Sequence, residues 1–272
     1  MEIRHVGGNI GAELIGVDLA RDTSATVIRE IRAAMLEHLV IFVRDQNLAP
    51  ADYLAFAKRI GTPIEYPFVP GIEGFPVITP VIKLPHHKVA FGGNWHTDTT
   101  YLPEPPMATM LLAQELPVVG GDTMFANQYL AYETLSDGMK SLLSGLRGVS
   151  RSDKAEASRT REDRVGESGP KRDVRVADHP AVRTHPETGQ KSLYVNFAHT
   201  THFLGMTEEE SLPLLRYLWA HQIRPEFTCR FTWSPGALAL WDNRCTLHHA
   251  INDYQGQTRI MHRITLSGDV PV

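Results

Sequence analysis

The chain has 272 residues, 42% of them hydrophobic and 21% charged, with a formal net charge of −4. That balance suits a globular chain with a full core and excludes nucleic acid or an anionic membrane as a partner held by bulk charge. No stretch approaches the ~18 apolar residues a membrane span needs. The opening MEIRHVGGNIGAELIGVDL lacks the apolar core and cleavage site of a leader. Two cysteines, Cys229 and Cys245, make no disulfide framework, so the expectation is a reduced, cytoplasmic compartment.

Residues 1–20 alternate and carry glycines, which predicts an opening strand or hairpin. Ser24 or Thr23 caps a predicted helix to about His38, because Val27, Ile31, Met35 and Leu36 recur at helical spacing. LVIFV (39–43) is a short β-branched run and predicts a buried strand. A second amphipathic helix runs from Pro50 to about Ile60, stopped by Gly61 and Pro63. Prolines and glycines recur from about 64 to 112. MATMLLAQEL (107–116) reads as a buried strand, PVVGGDTMFAN as a turn into another, and AYETLSDGMKSLLSGL (131–146) as a helix.

Residues 150–178 are charged and almost free of large apolar groups. They read as a mobile surface excursion, either a lid or a solvated linker. Strand character resumes over 181–205. A helix from Thr207 to about His221 opens on TEEES, acidic where the helix dipole favours it. FTCRFTW (227–233), ALALWDN (237–243) and RIMHRITLSGD (259–269) close the chain as strands. There is no internal repeat and no second compositional domain. The expectation is one domain over 1–272, mainly β with flanking helices: a double-stranded β-helix, or jelly roll.

His96 and Asp98 stand two residues apart in NWHTDTTY, and His248 lies far downstream in LWDNRCTLHHA. In extended backbone, residues i and i+2 share a face, so the first pair can aim at one point. Two imidazoles and a carboxylate are the ligand set of non-haem Fe(II) oxygenases, which leaves metal positions open for cosubstrate and O2. An HxD alone is weak evidence in a chain with 13 histidines. His249 competes with His248, but alternation puts the neighbours on opposite faces. His86 and His87 sit in a loop-like context and are weaker ligand candidates. Arg259 and Arg263, four apart, share a strand face, with His262 on the opposite parity. A guanidinium there clamps a carboxylate such as the far end of 2-oxoglutarate. The rival readings are surface arginines on a terminal strand, a zinc hydrolase using the same three ligands, and a metal-binding jelly roll without turnover.

Six segments, in order and over almost the whole chain, resemble the TauD/TfdA family of Fe(II)- and 2-oxoglutarate-dependent dioxygenases. They are GAELIGVDL, NWHTDTTYLPEPP, GGDTMFANQYLAYETLS, HPAVRTHPETGQKSLYVN, WDNRCTLHHAINDY and RIMHRITLSGD. The resemblance implies that His96, Asp98 and His248 bind Fe(II). It implies that Thr123 and Arg259 hold the far carboxylate of 2-oxoglutarate, with Arg263 close to the metal and in contact with either the anionic group of the substrate or the near carboxylate of 2-oxoglutarate. It implies hydroxylation of a small anionic organic substrate by O2, with release of succinate and CO2. Taurine or another sulfonate is the first expectation; an alkyl sulfate or an aryloxyalkanoate is the alternative. Family resemblance also suggests a homo-oligomer, a dimer or a tetramer.

The substrate pocket departs from the taurine enzyme. The sulfonate-contacting histidine of that enzyme is matched by Tyr66, an asparagine before the metal motif by Gly92, and a substrate-packing aromatic by His199. Tyr101 keeps an aromatic after HTD. Tyr66, Tyr101, His199 and Arg263 are therefore the expected substrate contacts.

Overall fold

The computed structural model describes residues 1–22, 24–156 and 173–272. A hairpin, β1 (Glu2–His5) and β2 (Ala12–Ile15), leads to helix α1 (Ala25–His38), strand β3 (Val40–Val43) and helix α2 (Pro50–Ile60). Strands β4 (Pro63–Ile64), β5 (Thr79–Lys83), β6 (Ala108–Glu115) and β7 (Thr123–Asn127) follow. Helices α3 (Gln128–Glu133) and α4 (Asp137–Leu143) precede β8 (Arg147–Arg151). Next come β9 (Val176–Pro180), β10 (Val182–Thr184), β11 (Lys191–Leu193), β12 (Thr200–Phe203) and helix α5 (Glu208–Gln222). Strands β13 (Thr228–Phe231), β14 (Leu238–Asp242), β15 (Thr246–Ala250) and β16 (Arg259–Leu266) end the fold.

The large sheet runs β1-β2-β3-β14-β6-β16-β4, with β5 also paired to β16. A smaller sheet, β13-β7-β15, faces it, and the two close into a jelly roll. Both faces of the large sheet are covered. One face packs Ile41, Met110, Leu240 and Ile264 against Ile31 and Met35 of α1 and Phe56 of α2. The other packs Phe42, Leu111, Trp241 and Met261 against Phe125 and Phe231 of the smaller sheet. The Phe42 and Phe231 rings stack at 3.9 Å between centroids. Double coverage is why LVIFV, MATMLLAQ and ALALW are continuous apolar runs rather than alternating ones. Burying one such side chain contributes about 1.5–3 kcal/mol.

The helix over 131–146 needs correction, because the segment forms two helices. Thr134 ends α3, its hydroxyl donating to the Leu130 carbonyl (2.8 Å). Ser136 then starts α4 by accepting from the Met139 amide (3.3 Å). Short hydroxylated side chains that bond local backbone compete with the helix ladder and break it here. Ser24 caps α1 by accepting from Val27, and Thr207 with Glu210 makes a capping box on α5. The ends of the excursion predicted over 150–178 are strand, within β8 and β9, which pair with each other. Residues 157–172 of that lid candidate lie outside the described residues, as does Thr23. Both cysteines are buried and free. Among the described residues no helix is long and apolar enough to cross a membrane.

Candidate active site

Strand β15 pairs with β7, and its alternation separates the two adjacent histidines. The His248 ring turns inward, 4.7 Å from the Trp241 ring, while His249 stacks on Trp95 (5.5 Å). The segment carrying His96 is tied to β15 by a reciprocal pair of backbone bonds. His96 N–H donates to the His248 carbonyl (3.0 Å) and His248 N–H to the His96 carbonyl (2.8 Å). The expected extended HxD is thus reduced to one bridge residue, His96; Asp98 lies in the turn that follows. Thr99 next to it has φ 46°, a left-handed conformation that costs a β-branched residue energy and is held by its surroundings.

Three atoms converge. His96 Nε2 is 3.7 Å and His248 Nε2 3.9 Å from Asp98 Oδ1. His96 Nδ1 donates to the Asn94 carbonyl (2.7 Å), which fixes the tautomer and leaves Nε2 as a lone-pair donor. Asp98 Oδ2 accepts from Thr109 Oγ1 (2.7 Å), and that hydroxyl accepts from Asn243 Nδ2 (2.8 Å). Asn243 in turn accepts from Trp241 Nε1 (3.0 Å). The carboxylate is therefore oriented by a buried chain that links the neighbouring strands β6 and β14.

Burial alone pushes the Asp98 carboxyl up. His248, the Arg263 guanidinium, His96 and the Thr109 hydrogen bond all favour the carboxylate, outweigh burial and hold the group at about 2. Burial pushes both imidazoles down, His248 well below its ordinary value. The site thus presents two neutral nitrogens and one carboxylate. That donor set fits a divalent first-row metal, and its ligating atoms all lie within 4.8 Å of one another.

Arg259 and Arg263 project from the inner face of β16, each 4% exposed. Nε and Nη2 of both meet no hydrogen-bond partner among the described residues. Two buried guanidiniums with unused donors are costly unless an anion fills them. Arg263 Nη1 stands 3.9 Å from Asp98 Oδ1. Arg259 lies over the Trp233 ring (5.6 Å), and Trp233 Nε1 donates to Thr123 Oγ1 (3.0 Å). Thr123, Arg259, Arg263, His96 and His248 share one small pocket. The GGDT turn makes room for it: at Gly121, with φ 74°, a Cβ would stand 3.2 Å from Arg259 Cδ.

Tyr66, Tyr101 and His199 line a second cleft together with His96 and Asp98. The Tyr66 ring covers the Arg263 guanidinium at 4.1 Å, and Tyr101 meets His199 edge-on at 5.0 Å. Gly92, with φ 72°, belongs to the same wall; a Cβ there would stand 3.1 Å from His96 Cε1. All the residues expected from sequence are thus brought around one centre. Sequence reasoning missed Thr109, Asn243 and Phe91. The signal for Thr109 was a hydroxyl inside a run otherwise apolar, a position that demands a partner.

A second group, His185, Asp242 and Cys245, resembles a ligand cluster by proximity. Its carboxylate is already engaged: Asp242 accepts from Arg244 Nε (2.9 Å) and Nη2 (2.7 Å) and from His185 Nε2 (3.0 Å). Burial pushes the Cys245 thiol well up, so it stays protonated. The cluster fastens the β14–β15 turn and, through Arg244 and Glu187, reaches Arg32 of α1.

The chain matches the family model "Taurine catabolism dioxygenase TauD, TfdA family" over residues 2–265. It is 34% identical to an alkylsulfatase of Acinetobacter baylyi, over 99% of this chain and 86% of that protein. It is also 34% identical to an alpha-ketoglutarate-dependent sulfate ester dioxygenase of Pseudomonas putida, over 100% of this chain and 91% of that one. The crystal structure of a taurine dioxygenase from Burkholderia xenovorans superposes with a TM-score of 0.85 at 38% identity, covering 100% of this chain and 92% of that one. Fold, site and relatives converge, and the chain belongs to the TauD/TfdA dioxygenase family.

Proposed function

We propose that this chain hydroxylates a small organic anion, a sulfonate or sulfate ester, using Fe(II), 2-oxoglutarate and O2. The observation that carries the reading is the convergence of two neutral imidazoles and one carboxylate beside two buried arginines with unused donors. His96, Asp98 and His248 would hold Fe(II), and Thr123 and Arg259 the far carboxylate of 2-oxoglutarate. When bound, the metal and cosubstrate supply the oxidising power that hydroxylates a C–H bond and releases succinate and CO2.

The protein's own share is orientation and exclusion of water. Asn94 fixes the His96 ring, and Thr109 fixes the Asp98 carboxylate. Arg263 offers its guanidinium to the anionic head of the substrate, while Tyr66, Tyr101 and His199 shape the cleft that aims the adjacent carbon. Hydroxylation beside a sulfonate or sulfate ester gives an unstable product that releases sulfite or sulfate with an aldehyde. The sulfate ester dioxygenase and the alkylsulfatase among the relatives support this head-group class.

The test is anaerobic titration of the metal-free protein with Fe(II) and 2-oxoglutarate, followed by candidate anions. A weak charge-transfer band near ~500–530 nm is expected for the chelate at such a site. Bound metal without that band, or turnover without O2, refutes the reading in favour of a hydrolase or a binding module.

A further inference from the structure

The pocket before Arg259 is small, about 30 Å3, and Thr123, Arg259 and Arg263 line it. Behind it stands a second layer. In the antiparallel pairing of β5 with β16, Lys83 lies directly opposite Arg259. Residues so paired share a face of the sheet, and the lysine runs into the same interior as the guanidinium, 1% exposed. Its ammonium lies 4.4 Å from the centre of the Tyr254 ring and donates to the Tyr254 carbonyl (3.4 Å). Lys83 does not line the pocket itself, so it reaches a ligand there only through its neighbours.

Tyr254 is buried and touches both halves of the carboxylate clamp. Burial pushes the Arg259 guanidinium below its ordinary range; Tyr254, to which it is hydrogen-bonded, and the Asp122 carboxylate push back. On the other side, a Cβ at Gly121 of the GGDT turn would stand 3.3 Å from Tyr254 Cδ1. That turn is fastened to the same segment. Gly121 N–H donates to Asp253 Oδ1 (2.8 Å), and Ile251 N–H donates to the Asp122 carbonyl (2.9 Å). Tyr254 is thus a wedge between the strand that carries Arg259 and the turn that leads to Thr123, and Lys83 grips it by ring and main chain.

We infer that Lys83 and Tyr254 form a brace that presets Arg259 and Thr123 for the far carboxylate, and so selects 2-oxoglutarate over 2-oxo acids that lack one. This rests on the dioxygenase reading and adds two positioning residues to its cosubstrate site.

The electrostatics favour a brace over an inert staple. Like charges directly opposite each other are destabilising, and burial adds to the cost of each. A far carboxylate at Arg259 offsets that cost; a 2-oxo acid that ends in a methyl group does not. A guanidinium already held in line also loses less freedom when its anion arrives, and alignment gives the bidentate clamp its strength.

The experiment is anaerobic optical titration of the Fe(II)-loaded protein, read by the charge-transfer band. The ligands are 2-oxoglutarate and 2-oxobutyrate, which keeps the chelating end and lacks the far carboxylate. Lys83→Met keeps the length of the side chain and drops its charge; Tyr254→Phe drops only the hydroxyl. Each should weaken 2-oxoglutarate binding about tenfold or more, the lower end for a lost hydrogen bond to a charged group, and leave 2-oxobutyrate as before. Because Lys83 acts through Tyr254, the double variant should bind no more weakly than the weaker single one. Single variants that bind 2-oxoglutarate as the original chain does overturn the brace. So does an equal loss for both ligands, which a merely structural role would give, and so do losses that add in the double variant. If K83M does not fold, Y254F decides between the first two of these outcomes alone. An original chain that binds no 2-oxoglutarate with its metal would sink the dioxygenase reading itself; one that binds it, with unchanged variants, sinks only the brace.

Discussion

Thr109→Val removes one hydroxyl and keeps the shape of the side chain. In the folded protein that hydroxyl donates to Asp98 Oδ2 at 2.7 Å and accepts from Asn243 at 2.8 Å. Thr109 is fully buried, so no bulk water takes its place. A hydrogen bond to a charged group contributes about 1.5–3 kcal/mol, and the Asn243 donor would also lose its acceptor. Converted through RT, that range is roughly a 10- to 150-fold loss, in line with the 10–100-fold typical when a partner of a metal ligand is deleted. Anaerobic calorimetric titration with Fe(II), or with Mn(II) as a slower-oxidising probe, reads the loss directly. Thr109→Ser keeps the hydroxyl and should restore most of the affinity. Metal binding by T109V within twofold of the original would refute the orienting role. So would T109S as weak as T109V, since the effect would then be packing alone.

Asp98→Ala should abolish tight Fe(II) binding and substrate-dependent succinate formation together; retained activity would remove Asp98 from the ligand set. Arg259→Ala should raise the 2-oxoglutarate concentration needed for half-saturation by about a hundredfold, the equivalent of a lost charge-assisted contact of about 3 kcal/mol, and an unchanged requirement would contradict its role. For Asp242, burial pushes the carboxyl up, but the Arg244 and His185 hydrogen bonds outweigh it and bring the group from 3.8 to about 2. A depressed carboxyl stabilises the fold above its unfolded value, and that contribution, on the order of 2 kcal/mol, is lost as pH falls from about 4 toward 2. Asp242→Asn should lower the melting temperature at neutral pH, because Arg244 keeps a buried charge without its main partner. It should also flatten the acid dependence in that window; a melting curve that tracks the original chain down to pH 2 would refute the assignment.

Much of the frame was legible in the sequence because its signals are local. α1 shows its cap at Ser24 and helical spacing, α2 its Pro50 start, and α5 its Thr207–Glu210 box. The doubly covered strands show as unbroken apolar runs. The break at Thr134–Ser136 was not legible, since the same hydroxyls sit within helices elsewhere and only backbone geometry reveals the competition. At the site, the identities of His96, Asp98 and His248 were readable, but their convergence depends on a β15 bridge between distant segments. Strand alternation allowed only one of His248 and His249 to face the metal, the family resemblance chose His248, and the ring of His248 is the one that turns inward. The Thr109–Asn243–Trp241 chain was invisible because it joins two strands, β6 and β14, that are neighbours in the sheet but more than a hundred residues apart in sequence.

The reciprocal bridge between His96 and His248 has a thermodynamic corollary. Bringing two remote stretches of chain together costs loop-closure entropy, and here two main-chain bonds meet that cost during folding. A metal arriving at this site does not have to gather its imidazoles; it displaces only water and the small residual freedom of three side chains. In small domains where metal binding and folding are one event, a chelator is a denaturant. In this chain stripping and reloading should be a reversible exchange on an intact scaffold. The identity of the ion would then follow supply and oxidation state rather than the history of folding.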